Sequence, residues 1–146
     1  MIEEKNPFSL DHQIGFAVYA TSHAFTRTYK PLLEEIGLTF PQYLAMLALW
    51  EEDRVTVKAL AERMELESPT VTPIVKRLEK LKLITRRRNP KDERQLILEL
   101  TPKGHSMRIK SAHIPAEVNG QLHISPEAVN TLISLLGKLK TTLQTH

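Results

Sequence analysis

Apolar residues recur along the first part of the chain at Leu10, Ile14, Ala17, Val18, Phe25, Leu32, Leu33 and Ile36. This three- and four-residue spacing keeps side chains on a common helix face. The pattern predicts a long helix over residues 9–36, with Ser9 as its N-cap and Gly37 just beyond its last turn. Pro31 lies inside the run and is expected to kink or split it, since its ring crowds a carbonyl and its nitrogen donates nothing. Gly15 sits in the opening stretch LDHQIGFAVYA. Glycine there costs a helix roughly 0.5–1 kcal/mol against alanine, so its presence asks for a reason.

The next segment, TFPQYLAMLALW, has Thr39 as N-cap and Pro41 in the first turn, where a missing N–H costs little. It reads as a short, largely buried helix ending near Glu52. Thr56 then caps TVKALAERM, with Leu60, Ala61 and Met64 on one face. After a tight turn, SPTVTPIVKRLEKLKL begins with Ser68 as N-cap and Pro69 at the first helical position. Two short helices joined this way are a helix-turn-helix. In the second, Val71, Ile74, Val75, Leu78 and Leu81 form an apolar stripe. Pro69, Thr72, Pro73, Lys76, Arg77 and Lys80 lie opposite, with Thr70 at the N-terminal edge.

Ile84–Arg88 and Gln95–Leu100 alternate or are rich in strand formers, and Asn89-Pro90 turns the chain between them. They predict a two-stranded hairpin with the charged tip NPKDER. Thr101-Pro102 starts a helix running to about Gly120. Ser125-Pro126-Glu127 caps a last helix whose apolar residues are Val129, Leu132, Ile133, Leu136, Leu139 and Leu143. The fold class is mainly α with a small β-hairpin wing: a winged helix-turn-helix over residues 39–104, held between helical parts at 9–36 and 105–146.

Charge sharpens this picture. The 146 residues carry a net +3, but between Lys76 and Arg94 nine basic residues face three acidic ones, a local +6. A basic stripe on the second helix and the hairpin is a footprint for phosphates, so double-stranded DNA is the expected partner. Residues at the start of a recognition helix reach base edges, and longer basic ones further along reach phosphate. Thr70 and Thr72 are base-edge or phosphate candidates, and Lys76 and Arg77 phosphate or guanine candidates. Arg94 would enter a minor groove, its guanidinium held by Asp92 two residues earlier. The candidate DNA contacts are thus Ser68, Thr70, Thr72, Lys76, Arg77, Arg86, Asp92 and Arg94. The competing readings are a solvated charged face with an ordinary turn salt bridge, and a winged helix that binds an acidic protein partner.

The chain has no cysteine, which removes disulfides, thiolate metal sites and cysteine nucleophiles. Its six histidines show no metal-ligand spacing, and no phosphate loop or nucleophile elbow is present. No enzyme, metal or cofactor is expected. Glu34-Glu35 and Glu51-Glu52 read as helix surface, and Met46 and Met64 as core. The acidic start MIEEKNPFSL lacks a signal peptide's apolar region, and no apolar run approaches the roughly 20 residues of a membrane span. A cytoplasmic protein without a membrane partner is expected. The terminal helices carry more apolar surface than a winged helix can cover, which predicts an isologous homodimer. Its recognition helices would lie about 34 Å apart on a near-palindromic site; the alternative is a monomer with a helical cap.

DER at 92–94 followed by LILELTPKG, together with the element order, resembles the MarR family of bacterial transcription regulators over nearly the whole chain. DHQIGFAVYA, YKPLLEEIGLTFPQYLAMLALWE and SPTVTPIVKRLEKLKLITR are most similar to its organic-hydroperoxide-sensing OhrR branch. The resemblance implies a single domain over 1–146 and a stress-response repressor. A reactive cysteine in the first helix, near the dimer interface and hydrogen-bonded by tyrosines, would release DNA on oxidation. Here Gly15 stands at the cysteine's place, Tyr19 and Tyr29 match two of the tyrosines, and the third is Phe40. Thiolate chemistry needs a thiolate, so cysteine-dependent sensing is expected to be lost. A space beside Gly15, Phe16, Tyr19, Tyr29 and Phe40 would admit a small apolar or aromatic effector. The alternative is a collapsed pocket and a constitutive binder.

Overall fold

Ser9 opens only a 3-10 turn, Leu10–His12, without a side-chain cap. In the computed structural model, which describes residues 6–145, the first α-helix is α1, Ile14–Glu34. It therefore starts later than the apolar pattern suggests. Gln13 is extended at the junction, and its amide donates to the carbonyls of Pro7 at 2.7 Å and Ser9 at 3.0 Å, which holds the two helical segments apart. Pro31 neither splits nor ends α1. Most of its surroundings are exposed, so solvent can serve the carbonyl that loses its partner. The helix stops where expected: Gly37 takes φ +72, and the amides of Gly37 and Leu38 bond the Glu34 and Leu33 carbonyls, both at 3.1 Å. Leu33 and Leu38 are both buried beside this left-handed stop.

Thr39 and Gln42 form a reciprocal capping box at the start of α2, Phe40–Glu51. Thr56 caps α3, Val57–Met64, by accepting from the Ala59 amide at 3.0 Å. Glu65 at φ 58 turns the chain into α4, Ser68–Lys80. Leu33, Met46, Leu49, Leu60, Val71, Val75 and Leu78 are each 1% exposed or less. That core seats the helix-turn-helix on α1 and α2. Met64 is half-buried, and Met107 is buried at 8% exposure.

The wing has one strand more than the sequence suggested. β1, Val55–Thr56, β2, Ile84–Asn89, and β3, Asp92–Leu100, form an antiparallel sheet in the order β1-β3-β2. Two residues are too short to show any alternation, which is why β1 escaped the pattern. β3 begins at Asp92 rather than Gln95, since Asn89 pairs with Asp92 and leaves only Pro90 and Lys91 at the tip.

Thr101 caps α5, Pro102–Lys110. The helix does not continue to Gly120: it breaks at Ser111–His113 and resumes as α6, Ile114–Leu122. Pro115 explains the break, because it offers no N–H to the Ser111 carbonyl and would crowd it in a continuous helix. Ser125 then caps α7, Pro126–Gln144. The chain forms two compact units, one ending at His113 and one starting at Ile114. In the first unit, Gly104 comes so close to Leu83 that an added Cβ would collide with the Leu83 carbonyl oxygen. Trp50 Nε1 donates to the Gly104 carbonyl at 3.0 Å, fixing α5 on α2. In the second unit, no α7 residue is buried, among the described residues.

Candidate nucleic-acid interface

The faces of α4 follow the helical period. Val71, Val75 and Leu78 are buried and Ile74 and Leu81 half-buried, while Pro69, Thr70, Pro73, Lys76, Arg77 and Lys80 are exposed. Ser68 is not the cap. The Val71 amide already bonds the Glu67 carbonyl at 3.2 Å, so the helix begins one residue early, with Glu67 as N-cap and no side-chain bond. Ser68 remains exposed on the first turn. Thr72 is half-buried, and its hydroxyl donates back to the Ser68 carbonyl at 2.9 Å, which leaves its oxygen free to accept a further bond.

Side chains brace the wing tip. Asn89 Oδ1 accepts from the Lys91 amide at 3.0 Å, and Arg88 donates to the Glu93 carbonyl at 2.8 Å. Asp92 Oδ1 accepts from both the amide and Nε of Arg94, each at 3.1 Å. The Arg94 side chain is nonetheless 91% exposed: held at its base, it projects into solvent. Arg86 behaves differently. Its Nε and Nη2 donate to the two carboxylate oxygens of Glu79, both at 3.0 Å, and its side chain is only 26% exposed. The hydrogen bonds from Arg86 hold the Glu79 carboxyl below the usual carboxylate range. Arg87 lies 3.6 Å from Glu99. Thr72, Arg86 and Arg94 come together around a groove of about 320 Å³ between α4 and the wing.

The aromatic candidates fall into two groups. The rings of Tyr29 and Phe40 meet at 4.6 Å, with Tyr43 at 6.0 Å from Tyr29. Burial raises both phenol pKa values, and for Tyr43 the neighbouring Tyr29 adds to it. A groove of about 310 Å³ beside them is lined by Phe40, Leu33, Leu38, Thr26 and Lys30 among others. Gly15, Phe16 and Tyr19 lie elsewhere. They are exposed on the first turns of α1, about 15–21 Å from Tyr29 along the axis at 1.5 Å per residue. A Cβ on Gly15 would meet nothing within 4 Å among the described residues, so within one chain the five residues do not line a common cavity.

The model of a family described as "Transcriptional regulator SarA/Rot" matches residues 27–110, from the second half of α1 through α5. The organic hydroperoxide resistance transcriptional regulator of Bacillus subtilis (strain 168) is 42% identical over 134 residues, covering 92% of this chain and 91% of its own. The chain belongs to the MarR/SarA family of transcriptional regulators. Reduced AbfR of Staphylococcus epidermidis bound to DNA superposes on this regulator with a TM-score of 0.80 and 30% identity, covering 93% of both chains. The PcaV transcriptional regulator from Streptomyces coelicolor, solved with its natural ligand, gives a TM-score of 0.84 at 22% identity, over 94% of this chain and 98% of its own. At that identity the likeness concerns the fold.

This regulator thus has the DNA-binding machinery of a family of transcription factors, not of enzymes. It has no cysteine. Among the described residues no helix is long and apolar enough to cross a membrane. Three polar groove residues are absent from the sequence's candidate contacts: Thr56, Lys58 and Gln95. Lys58 lies outside the contiguous basic run, Gln95 carries no charge, and Thr56 reaches the groove only because β1 pairs with β3. A charge count along the chain carries no signal for any of them.

Proposed function

We propose that this regulator is a repressor that binds a near-palindromic operator as an isologous homodimer, with α4 in the major groove and the wing in the minor groove. The observation that carries the reading is the division of α4 and the wing into a buried apolar side and an exposed basic one, with Arg94 projecting from a carboxylate brace. Thr70 and Thr72 read base edges or phosphate, Lys76 and Arg77 contact phosphate or guanine, and Arg94 reads the narrow groove. AbfR, seen on DNA, supports the same use of the shared fold.

Two exposed apolar faces support the dimer. Phe8, Leu10, Ile14 and Val18 at the start of the chain are 45–92% exposed, and Leu132, Ile133, Leu135, Leu136 and Leu143 on α7 are 50–66% exposed. Apolar surface on this scale marks an interaction site. With no thiol in the chain, peroxide has no sulfenic route to release DNA. The effector reading takes a definite form: a small apolar or aromatic ligand lodges at Tyr29 and Phe40, and Gly15, Phe16 and Tyr19 join that site only across the dimer.

Fluorescence anisotropy on duplex from the protein's own upstream region, compared with random duplex at fixed salt, tests the reading. Specific binding by a dimer, unmoved by an organic hydroperoxide, is expected. Equal affinity for both duplexes would overturn it and favour an acidic protein partner instead.

A further inference from the structure

Major-groove and minor-groove reading succeed together only if the angle between α4 and the wing is fixed. The chain between them is short: Leu81 caps α4 and Lys82 turns it at φ 63. That turn is tied down by Lys82 and Leu83 amide bonds to the carbonyls of Glu79 at 2.9 Å and Leu78 at 3.1 Å. A backbone turn alone sets a hinge, not the position of what swings on it. The position is set further out, where Arg86 of β2 reaches back to Glu79 in the last turns of α4 with two parallel bonds.

Two features distinguish this pair from the other charged contacts of the wing. It is bidentate, so the planar guanidinium fixes orientation as well as distance, whereas Arg87 meets Glu99 through a single 3.6 Å approach. It also grips the fixed part of the sheet. Arg86 pairs in register with Leu98, which is fully buried and pairs on its other side with Val55. Arg94 lines the same groove, held at its base by Asp92 with its side chain 91% exposed.

We propose that Glu79 is a positioning residue. By holding Arg86 it locks the wing at one angle to α4, so that Arg94 meets its groove while the start of α4 is seated in the other. Arg86 then serves as a strut and not as a phosphate contact. The proposal rests on the DNA-binding reading above and adds a residue that touches no DNA.

The test uses the full-length protein and the duplex it binds best from a random library, with variants of that duplex altered either under α4 or at the A·T flank under the wing. Wild-type protein must prefer the selected duplex; if it does not, the DNA-binding reading fails first. Given that preference, Arg94→Ala marks the loss of flank discrimination. Glu79→Gln is expected to lose flank discrimination several-fold toward the Arg94→Ala level. Discrimination under α4 should stay within about twofold, the salt slope should not change, and the exchange Glu79→Arg with Arg86→Glu should restore the flank preference. Tighter binding by Glu79→Gln with a steeper salt slope would overturn the proposal, since it would mean a released Arg86 contacts phosphate. Equal losses at both positions, unrescued by the exchange, would overturn it as well, reducing the pair to a fold contact. Should Glu79→Gln fail to fold, Glu79→Asp keeps the charge but shortens its reach by one methylene, and the same readouts apply.

Discussion

Asp92 Oδ1 lies 3.1 Å from both the backbone nitrogen and the Nε of Arg94, so a single oxygen orients a wing guanidinium whose side chain is 91% exposed. If the tip faces DNA as proposed, an acid there would repel phosphate, and this bond gives it a compensating role. Asp92→Ala should therefore weaken operator binding, not improve it. If Arg94 reads a base, its truncation costs about 1–3 kcal/mol, and Asp92→Ala should approach that loss. The double variant should lose little more than Arg94→Ala alone, as coupled residues do. Anisotropy titrations of the four proteins decide it, and additive losses would separate the two side chains.

Lys76 and Arg94 are expected to fail in different ways. Lys76 is exposed on α4, and in the proposed reading it contacts phosphate. Lys76→Ala should make the slope of log affinity against log salt shallower by about 0.9, on every duplex alike. Arg94→Ala should instead cost most on duplexes with A·T-rich flanks. Equal, sequence-blind losses for both would remove Arg94 from the groove.

Much of the geometry of the candidate DNA face was legible because its information is local. The stripe Val71, Val75, Leu78 repeats within one helix, and Asp92 is two residues from Arg94. What escaped depends on contacts between elements. Glu79 and Arg86 are seven residues apart but separated by a helix end and a left-handed turn, so neither helical nor strand period pairs them. β1 has no period to detect. The break at Ser111 is caused by Pro115, four residues later. The grouping of Gly15 with Tyr29 came from the family resemblance, and since fourteen residues of α-helix span about 21 Å, no period within one chain joins them; only a second copy could.

Gly104 tests how closely α5 is seated. Alanine favours a helix over glycine by about 1 kcal/mol, yet here its Cβ would collide with the Leu83 carbonyl oxygen and lie 3.2 Å from Leu100 Cδ2. A backbone atom cannot step aside as a side chain can. Gly104→Ala should destabilise the protein by about 1–3 kcal/mol, seen as a lower urea midpoint.

At Gly15 the same substitution should have the opposite sign. Nothing lies within 4 Å of the added Cβ among the described residues, and at the second residue of α1 the helix gains up to about 0.5 kcal/mol, less than at an interior position. Thermal melts of Gly15→Ala should show a small rise. A fall that grows with protein concentration would mean that a second copy packs against this turn.

The phenols of Tyr29 and Tyr43 predict an alkaline limit. Burial raises both above the ordinary value of 10.0, and ionised Tyr29 raises Tyr43 further. The folded state therefore holds these protons more tightly than the unfolded chain does. Their contribution to stability is complete below the ordinary phenol value and is lost as pH rises through the raised folded values. Urea unfolding of the wild type across that range should show falling stability. Tyr29→Phe should flatten the fall by more than one phenol's share, since it also relieves Tyr43, and the ring contact with Phe40 at 4.6 Å should persist. A flattening by one phenol's share alone would show that the two phenols are not coupled in the folded protein, and a fall as steep as the wild type's would show that Tyr29 contributes none of it.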